Sequence, residues 1–345
     1  MEPINLYDYE KIAQERLAPA YWDFFHGGSD DEVLLRESRS VYERIKLRPR
    51  VLVDVSAIDT RTTVLGTPVE MPILIAPTAS HCVAHPDGEC ATVQGAGRAG
   101  TLMIASTVAT RTIEEIAQAA GNTGTPLWFQ LYVYPTLEIA AWLVRRAEAA
   151  GYRAIVLTVD LPRLGNRERG RRNNAIIPPE PFREANFVGV EKEGQPWVPL
   201  TWDSLAWLRS ITSLPILLKG ILTAEDALLA VEHGVDGVIV SNHGGRQVDT
   251  AVPSIEALPE VVEAVGGRCE VYMDGGIRRG SDIVKALALG ARAVLIGRPA
   301  LWGLAADGAD GVYSVLSLLR KEVELTMALC GRPTLASIDR SLVRM

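Results

Sequence analysis

The stretch VIVSNHGGRQVD, residues 238–249, starts as an apolar strand and ends in a polar tip. His243 and Arg246 stand three residues apart with Gly244 and Gly245 between them. The same design recurs along the chain. Apolar runs stand at PILIAPTA (72–79), LMIAST (102–107), LWFQLY (127–132), AIVLTVD (154–160), PILLKG (215–220), GVIVSNHGG (237–245), EVYMDGG (270–276) and AVLIGRP (293–299). Amphipathic helical patterns such as TIEEIAQAA, AEDALLAVEHG and GSDIVKALALG separate them. Continuous Val/Ile/Leu runs alternating with helices describe a parallel sheet buried on both faces. Eight units predict an α/β chain closed into a (β/α)8 TIM barrel. No GxGxxG follows the first strand, which disfavours an open doubly wound sheet.

Residues 1–345 read as a single domain, with N-terminal helices and a hairpin over 1–70 and the barrel over 71–345. Ser29 and Glu32 have the spacing of a capping box opening a helix through Leu34, Val41, Tyr42 and Ile45, ended by Pro49. The alternation in VLVDV and TTVLG predicts short hairpins over 51–70. Over fifty residues separate Asp160 from Pro215, partly the Pro-rich stretch NNAIIPPEPFREANFVGVEKEGQPWVP. A loop that long after strand four reads as a lid or a disordered segment.

Bulk properties exclude several classes. A net charge of −7 gives no nucleic-acid footprint and no basic membrane face. No apolar run reaches the roughly 18 residues of a membrane helix. Cys82, Cys90, Cys269 and Cys330 form no CxxC pair and no metal-ligand spacing, so free thiols and no metal are expected. With a charged N-terminus and a C-terminal SLVRM that matches no lipid anchor or peroxisomal tripeptide, the expected location is cytoplasmic.

Barrel chemistry sits at the C-terminal ends of strands. Those ends carry Thr78 and Ala79; Ser106; Gln130 and Tyr132; Thr158 and Asp160; Lys219; Ser241, His243 and Arg246; Asp274, Gly276 and Arg278; and Gly297 and Arg298. DGGIRRG and IGRP put glycines and arginines after strands seven and eight, where barrels bind phosphate. One such loop would read as turn glycines beside solvated arginines; two adjacent ones favour phosphate. A lone histidine is more often structural. Here Asp160 can orient His243, and Arg246 can grip a carboxylate as a planar fork. Lys219 is costly to bury unless it faces an anion or a polar cofactor atom. The set describes a phosphorylated ring cofactor beside a carboxylate-binding base.

At these residues the chain resembles the FMN-dependent 2-hydroxy acid oxidase/dehydrogenase family. The resemblance runs through LRPRVLVDV, MPILIAPTA, AHPDGE, FQLYVY, LTVDLPRLGNRE, VSNHGGRQVD, DGGIRRGSDIVKALALGA and IGRP, nearly the whole chain. It implies non-covalent FMN and oxidation of an (S)-2-hydroxy acid to the 2-oxo acid. His243 would be the base, Asp160 its partner, Arg246 and Arg167 the substrate-carboxylate arginines, and Tyr132 a hydrogen-bonding partner of substrate. Lys219 would stabilise charge at N1 of reduced flavin. Thr78, Ala79, Ser106, Gln130, Thr158 and Ser241 would line the flavin; Asp274, Gly276, Arg278, Gly297 and Arg298 would hold ribityl and phosphate. The resemblance also implies a homotetramer.

Two positions depart from the family. Phe24 stands where members often have a substrate-binding tyrosine, and Val108 where plant glycolate oxidases carry tryptophan. Both favour a longer or aromatic acid over glycolate. Ala79, where the family's mandelate dehydrogenases have glycine, favours oxygen as acceptor and hydrogen peroxide as product. Lactate as substrate, a dehydrogenase with another acceptor, a different FMN barrel such as a type 2 isopentenyl diphosphate isomerase, a flavin-free phosphosugar barrel and a non-catalytic flavin-binding barrel are the alternatives.

Overall fold

In the computed structural model, residues 3–173, 182–190 and 198–345 are described. Eight parallel strands close into a barrel: β1 (Ile73–Ile75), β2 (Met103–Ser106), β3 (Leu127–Leu131), β4 (Ile155–Thr158), β5 (Ile216–Ile221), β6 (Gly237–Val240), β7 (Glu270–Asp274) and β8 (Ala293–Ile296). Each pairs with its neighbours in sequence, and β8 closes onto β1 through Leu295 opposite Leu74. The eight-run pattern therefore becomes one barrel.

Strand periodicity divides the core in two. Leu74, Ile104, Trp128, Val156, Leu217, Ile239, Tyr272 and Leu295 fill the interior. Their alternates, among them Ile73, Met103, Phe129, Ile155, Leu218, Val238, Met273 and Val294, pack in the cluster that includes the surrounding helices. Trp128 and Tyr272 meet edge to face inside the barrel, 5.7 Å between centroids. A hairpin joins the interior cluster through Val64 and Val69. Its strands, Thr62–Val64 and Thr67–Val69, turn through Leu65 and Gly66, both at positive φ, as a two-residue primed turn requires. The expected strand at VLVDV does not form. That run meets no partner strand, and Val51 and Leu52 are exposed.

Three helices precede the barrel: α1 (Leu6–Arg16), α2 (Pro19–His26) and α3 (Val33–Arg44). The capping box expected for α3 is absent. Glu32 is left-handed (φ +57°) and its Oε1 accepts from Gly28 N at 2.9 Å. Ser29 Oγ is buried without a partner among the described residues. The free N–H groups of Val33 and Leu34 donate instead to Asp249, at 3.1 and 2.8 Å. A carboxylate delivered from the loop after β6 thus replaces the local cap, and it also complements the helix dipole. Asp249→Ala is expected to cost about 0.5–2 kcal/mol, the usual range for losing a cap. Chemical denaturation of holoenzyme reads this; an unchanged midpoint would remove the cap from the stability account.

The segment after β4 contains a short helix, Glu168–Arg172, and a single turn, Ala185–Phe187. The turn is tied down. Asn186 Oδ1 accepts from Ile113 N at 3.0 Å, and its Nδ2 donates to Thr107 O at 3.1 Å. This turn is thus docked against the segment that follows β2. Residues 174–181 and 191–197, covered by the same expectation, lie outside the described residues.

Candidate active site

Two residues beyond the last interior apolar position, the strands turn polar. Ile104 gives way to Ser106, Trp128 to Gln130, Val156 to Thr158, Leu217 to Lys219, Ile239 to Ser241 and Tyr272 to Asp274. Period-two geometry aims these side chains into the barrel mouth. They join in a hydrogen-bonded ring segment. Ser106 Oγ donates to Gln130 Oε1 at 3.1 Å, and Gln130 Nε2 donates to Thr158 Oγ1 at 3.0 Å. Lys219 Nζ donates to Ser241 Oγ at 2.8 Å and stands 3.4 Å from Asp274 Oδ2. Burial works against the Lys219 charge, but Asp274 and Asp160 outweigh it and hold the ammonium above its usual pKa. Thr78 Oγ1 lies 2.7 Å from Nε2 of the buried His81, and Val108 is half-buried just beyond β2.

His243, Gly244 and Gly245 all have positive φ (+56°, +66° and +72°), so the tip of β6 turns sharply back over the mouth. That turn brings His243 Nδ1 to 2.8 Å from Asp160 Oδ1. Burial lowers the imidazole pKa and Asp160 only partly offsets it, so the ring is neutral at pH 7. Burial would raise Asp160, but His243 and Lys219 overcome this and keep the carboxyl below its usual value. Asp160 sits against Gly220, at a β-bulge in β5. A Cβ on Gly220 would lie 2.5 Å from Asp160 Cβ. Tyr132 is raised to about 12 by burial and by Asp160, so its hydroxyl keeps its proton.

The C-terminus of α2 meets two arginines. Arg246 Nη1 donates to Phe24 O and Gly27 O, both at 2.9 Å. Its carbon Cζ lies 5.8 Å from the Phe24 ring centre. Arg298 donates to Phe25 O, Gly244 O and Gly27 O at 2.9, 2.9 and 3.0 Å. The last carbonyls of a helix lack partners and carry its negative dipole end, which explains the attraction. Phe24, Gly27, Arg167 and Arg246 line one small cleft. Burial and the Arg167 and Arg298 charges push Arg246 well below its usual pKa. Its Nη2 and Nε remain to face a carboxylate.

The loop after β7 is held by α3, which sequence reasoning did not connect to the site. Tyr42 OH donates to Gly275 O at 2.9 Å, and Arg39 Nη1 donates to Gly276 O at 3.0 Å while pairing with Asp282. Gly276, at φ +73°, passes so close to Ser38 that a Cβ would overlap the Ser38 carbonyl. Arg278 lies over the Trp302 ring, 4.6 Å to its centre. Burial and the neighbouring Arg278 lower Arg298 to about 9. Among the described residues neither Arg278 nor Arg298 forms an ion pair.

FMN fits these residues. Asp274 Oδ1 and Asn242 Oδ1 are buried without partners and would accept from ribityl hydroxyls. The dianionic phosphate would neutralise Arg278 and meet the two N–H groups Arg298 has left. Lys219 would stand beside a polar ring edge. Arg298 also ties α2 to the β6 tip, a role its sequence context did not suggest. Gly297 packs against the Thr78 methyl, and Ala79 is half-buried beside it. No group of His, Cys, Asp and Glu suited to a metal occurs among the described residues.

Comparison with known proteins agrees with this reading. A family model described as FMN-dependent dehydrogenase matches residues 13–345. An L-lactate oxidase from Nostoc sp. is 50% identical, over 99% of this chain and 98% of the relative. Glycolate oxidase from Spinacia oleracea is 49% identical, over 99% of this chain and 95% of the relative. A solved structure of mandelate oxidase is 43% identical with a TM-score of 0.92, covering 99% of this chain and 98% of the other.

Proposed function

The chain belongs to the family of FMN-dependent dehydrogenases, and from that membership we propose that it oxidises an (S)-2-hydroxy acid to the 2-oxo acid with dioxygen as final acceptor, releasing hydrogen peroxide. The observation that carries the reading is the 2.8 Å pair of His243 and Asp160, with Arg246 three residues further on. A proton acceptor and a carboxylate clamp share one turn.

Bound in the barrel mouth, FMN supplies the two-electron acceptor that is reoxidised by dioxygen. The protein residues do the rest. Arg246, through Nη2 and Nε, and Arg167 grip the substrate carboxylate. Asp160 accepts the Nδ1 proton of His243, which leaves Nε2 free to take the proton lost by the acid at its carbinol centre, and then stabilises the imidazolium. Tyr132, protonated, donates to a substrate oxygen. Lys219 would offer positive charge to a polar edge of the ring. Thr78, Ala79, Ser106, Gln130, Thr158 and Ser241 line the ring; Asp274, Gly276, Arg278, Gly297 and Arg298 hold the ribityl phosphate. Gentle heating should release FMN and not FAD; chromatography of the supernatant decides, and a colourless protein from riboflavin-rich growth would contradict the assignment.

The preferred acid is one with a longer or aromatic side chain. Phe24 places an apolar ring beside the substrate arginine, and Val108 is a small side chain where tryptophan would fill space. Each buried CH₂ of substrate adds about 0.8 kcal/mol. The expected order of kcat/KM is mandelate and 2-hydroxyoctanoate above lactate, and lactate above glycolate, with Val108→Trp reversing the ends. Lactate leading the series would make it a lactate oxidase, in line with the relative from Nostoc. An unchanged ranking in Val108→Trp would remove that residue from selectivity. A homotetramer and a cytoplasmic location complete the reading, the first on family resemblance and the second on four free cysteines. No helix among the described residues is long and apolar enough to cross a membrane.

A further inference from the structure

Gln247 follows the substrate arginine directly, yet its side chain points away from that arginine's partners, into the loop after β4. Its Nε2 donates to Asp160 O at 2.8 Å and to Arg163 O at 2.9 Å. Its Oε1 accepts from Gly165 N at 3.1 Å. The opposite amide orientation would set an oxygen against two carbonyls, so the surroundings decide it. Among the described residues no other side chain bonds the backbone of residues 160–165. Gly165 is packed against this junction: a Cβ there would lie 2.4 Å from Arg246 O and 2.9 Å from Gln247 Cα. Arg167 Nε adds a 3.4 Å contact to Arg246 O.

We propose that Gln247 is a positioning residue that joins the Asp160 segment to the Arg246 segment, so that the proton-accepting pair and the carboxylate clamp keep one relative geometry. Gly220 and the bond from Val159 N to Lys219 O, 2.9 Å, hold Asp160 from the β5 side. From the β6 side His243 holds its carboxylate and, among the described residues, Gln247 alone holds its main chain with a side chain. Without that amide, the Asp160 carboxylate and the Arg246 guanidinium drift relative to each other, and a misplacement of about 1 Å costs on the order of a hundredfold in rate. The proposal rests on the functional reading above and extends it to a residue that touches neither substrate nor cofactor.

The test uses FMN-loaded Gln247→Met, which keeps the shape, and Gln247→Glu, which removes both donors and adds repulsion. Flavin bleaching by a 2-hydroxy acid should slow by roughly tenfold to a hundredfold, while FMN affinity stays that of the parent. The His243 titration, read by NMR on histidine-labelled holoenzyme without substrate, should move to lower pH. The charged groups facing that ring are Asp160, Lys219 and Arg167, and only the Asp160 contribution is loosened. In an Asp160→Asn background, Gln247→Met should add little further loss. Parent-like titration and bleaching would overturn the proposal. So would full additivity with Asp160→Asn, or failure of both variants to fold, which would make Gln247 a residue of the fold alone. A shifted titration in a protein whose parent bleaches with no 2-hydroxy acid would retain Gln247's role and sink the functional reading instead.

Discussion

His243→Gln should leave the protein yellow and its flavin slow to bleach, by about 10²–10⁴-fold under anaerobic mixing with substrate, the usual contribution of a positioned base. The residues that would hold FMN are spread over the ends of all eight strands and do not include His243 itself, so cofactor retention is part of the expected result. The acid limb follows from the same contacts. Burial lowers the His243 pKa below its ordinary 6.5 and Asp160 only partly restores it. A base must be unprotonated, so the midpoint of the acid limb falls below the 6.5 of an ordinary imidazole. Asp160→Asn should slow bleaching as well, because the imidazolium formed at His243 loses its carboxylate. Bleaching at the parent rate in His243→Gln would remove the histidine from the mechanism, and an acid limb above 6.5 would assign the titration to another group.

Arg246→Lys should lower kcat/KM by roughly 10- to 150-fold, equivalent to about 1.5–3 kcal/mol for a hydrogen bond to a charged group. Arg246 serves two partners at once. Nη1 spans the carbonyls of Phe24 and Gly27, which leaves Nη2 and Nε as a planar edge for the substrate carboxylate. An ammonium is a point charge and cannot hold both. The loss should appear mainly in KM, with the acid limb unmoved, since His243 and Asp160 keep their contact. Steady-state kinetics across pH separates the two variants. An unchanged KM in Arg246→Lys would mean that Arg167 alone grips the carboxylate.

Sequence patterning alone determined the barrel, because a strand buried on both faces must be apolar throughout and eight such runs alternate with helices. It also determined which side chains enter the mouth: once a strand is placed, period two fixes its direction, so Gln130, Lys219, Ser241 and Asp274 were legible as a set. The SNHGGRQ tip was legible because its glycines permit a backbone that other residues resist. What tertiary structure decided are the contacts between loops distant in sequence. Local spacing proposed that Ser29 and Glu32 cap α3, but Asp249 reaches those N–H groups from another loop. Arg298 was legible as a phosphate ligand, but not as the tie whose N–H groups reach two carbonyls at the end of α2 and one at Gly244 in the β6 tip. Arg39, Tyr42 and Gln247 carried no signal, because a side chain that bonds a remote backbone carbonyl leaves no spacing rule behind. A periodic pattern encodes a direction relative to its own element; which carbonyl another loop presents there depends on the closed barrel.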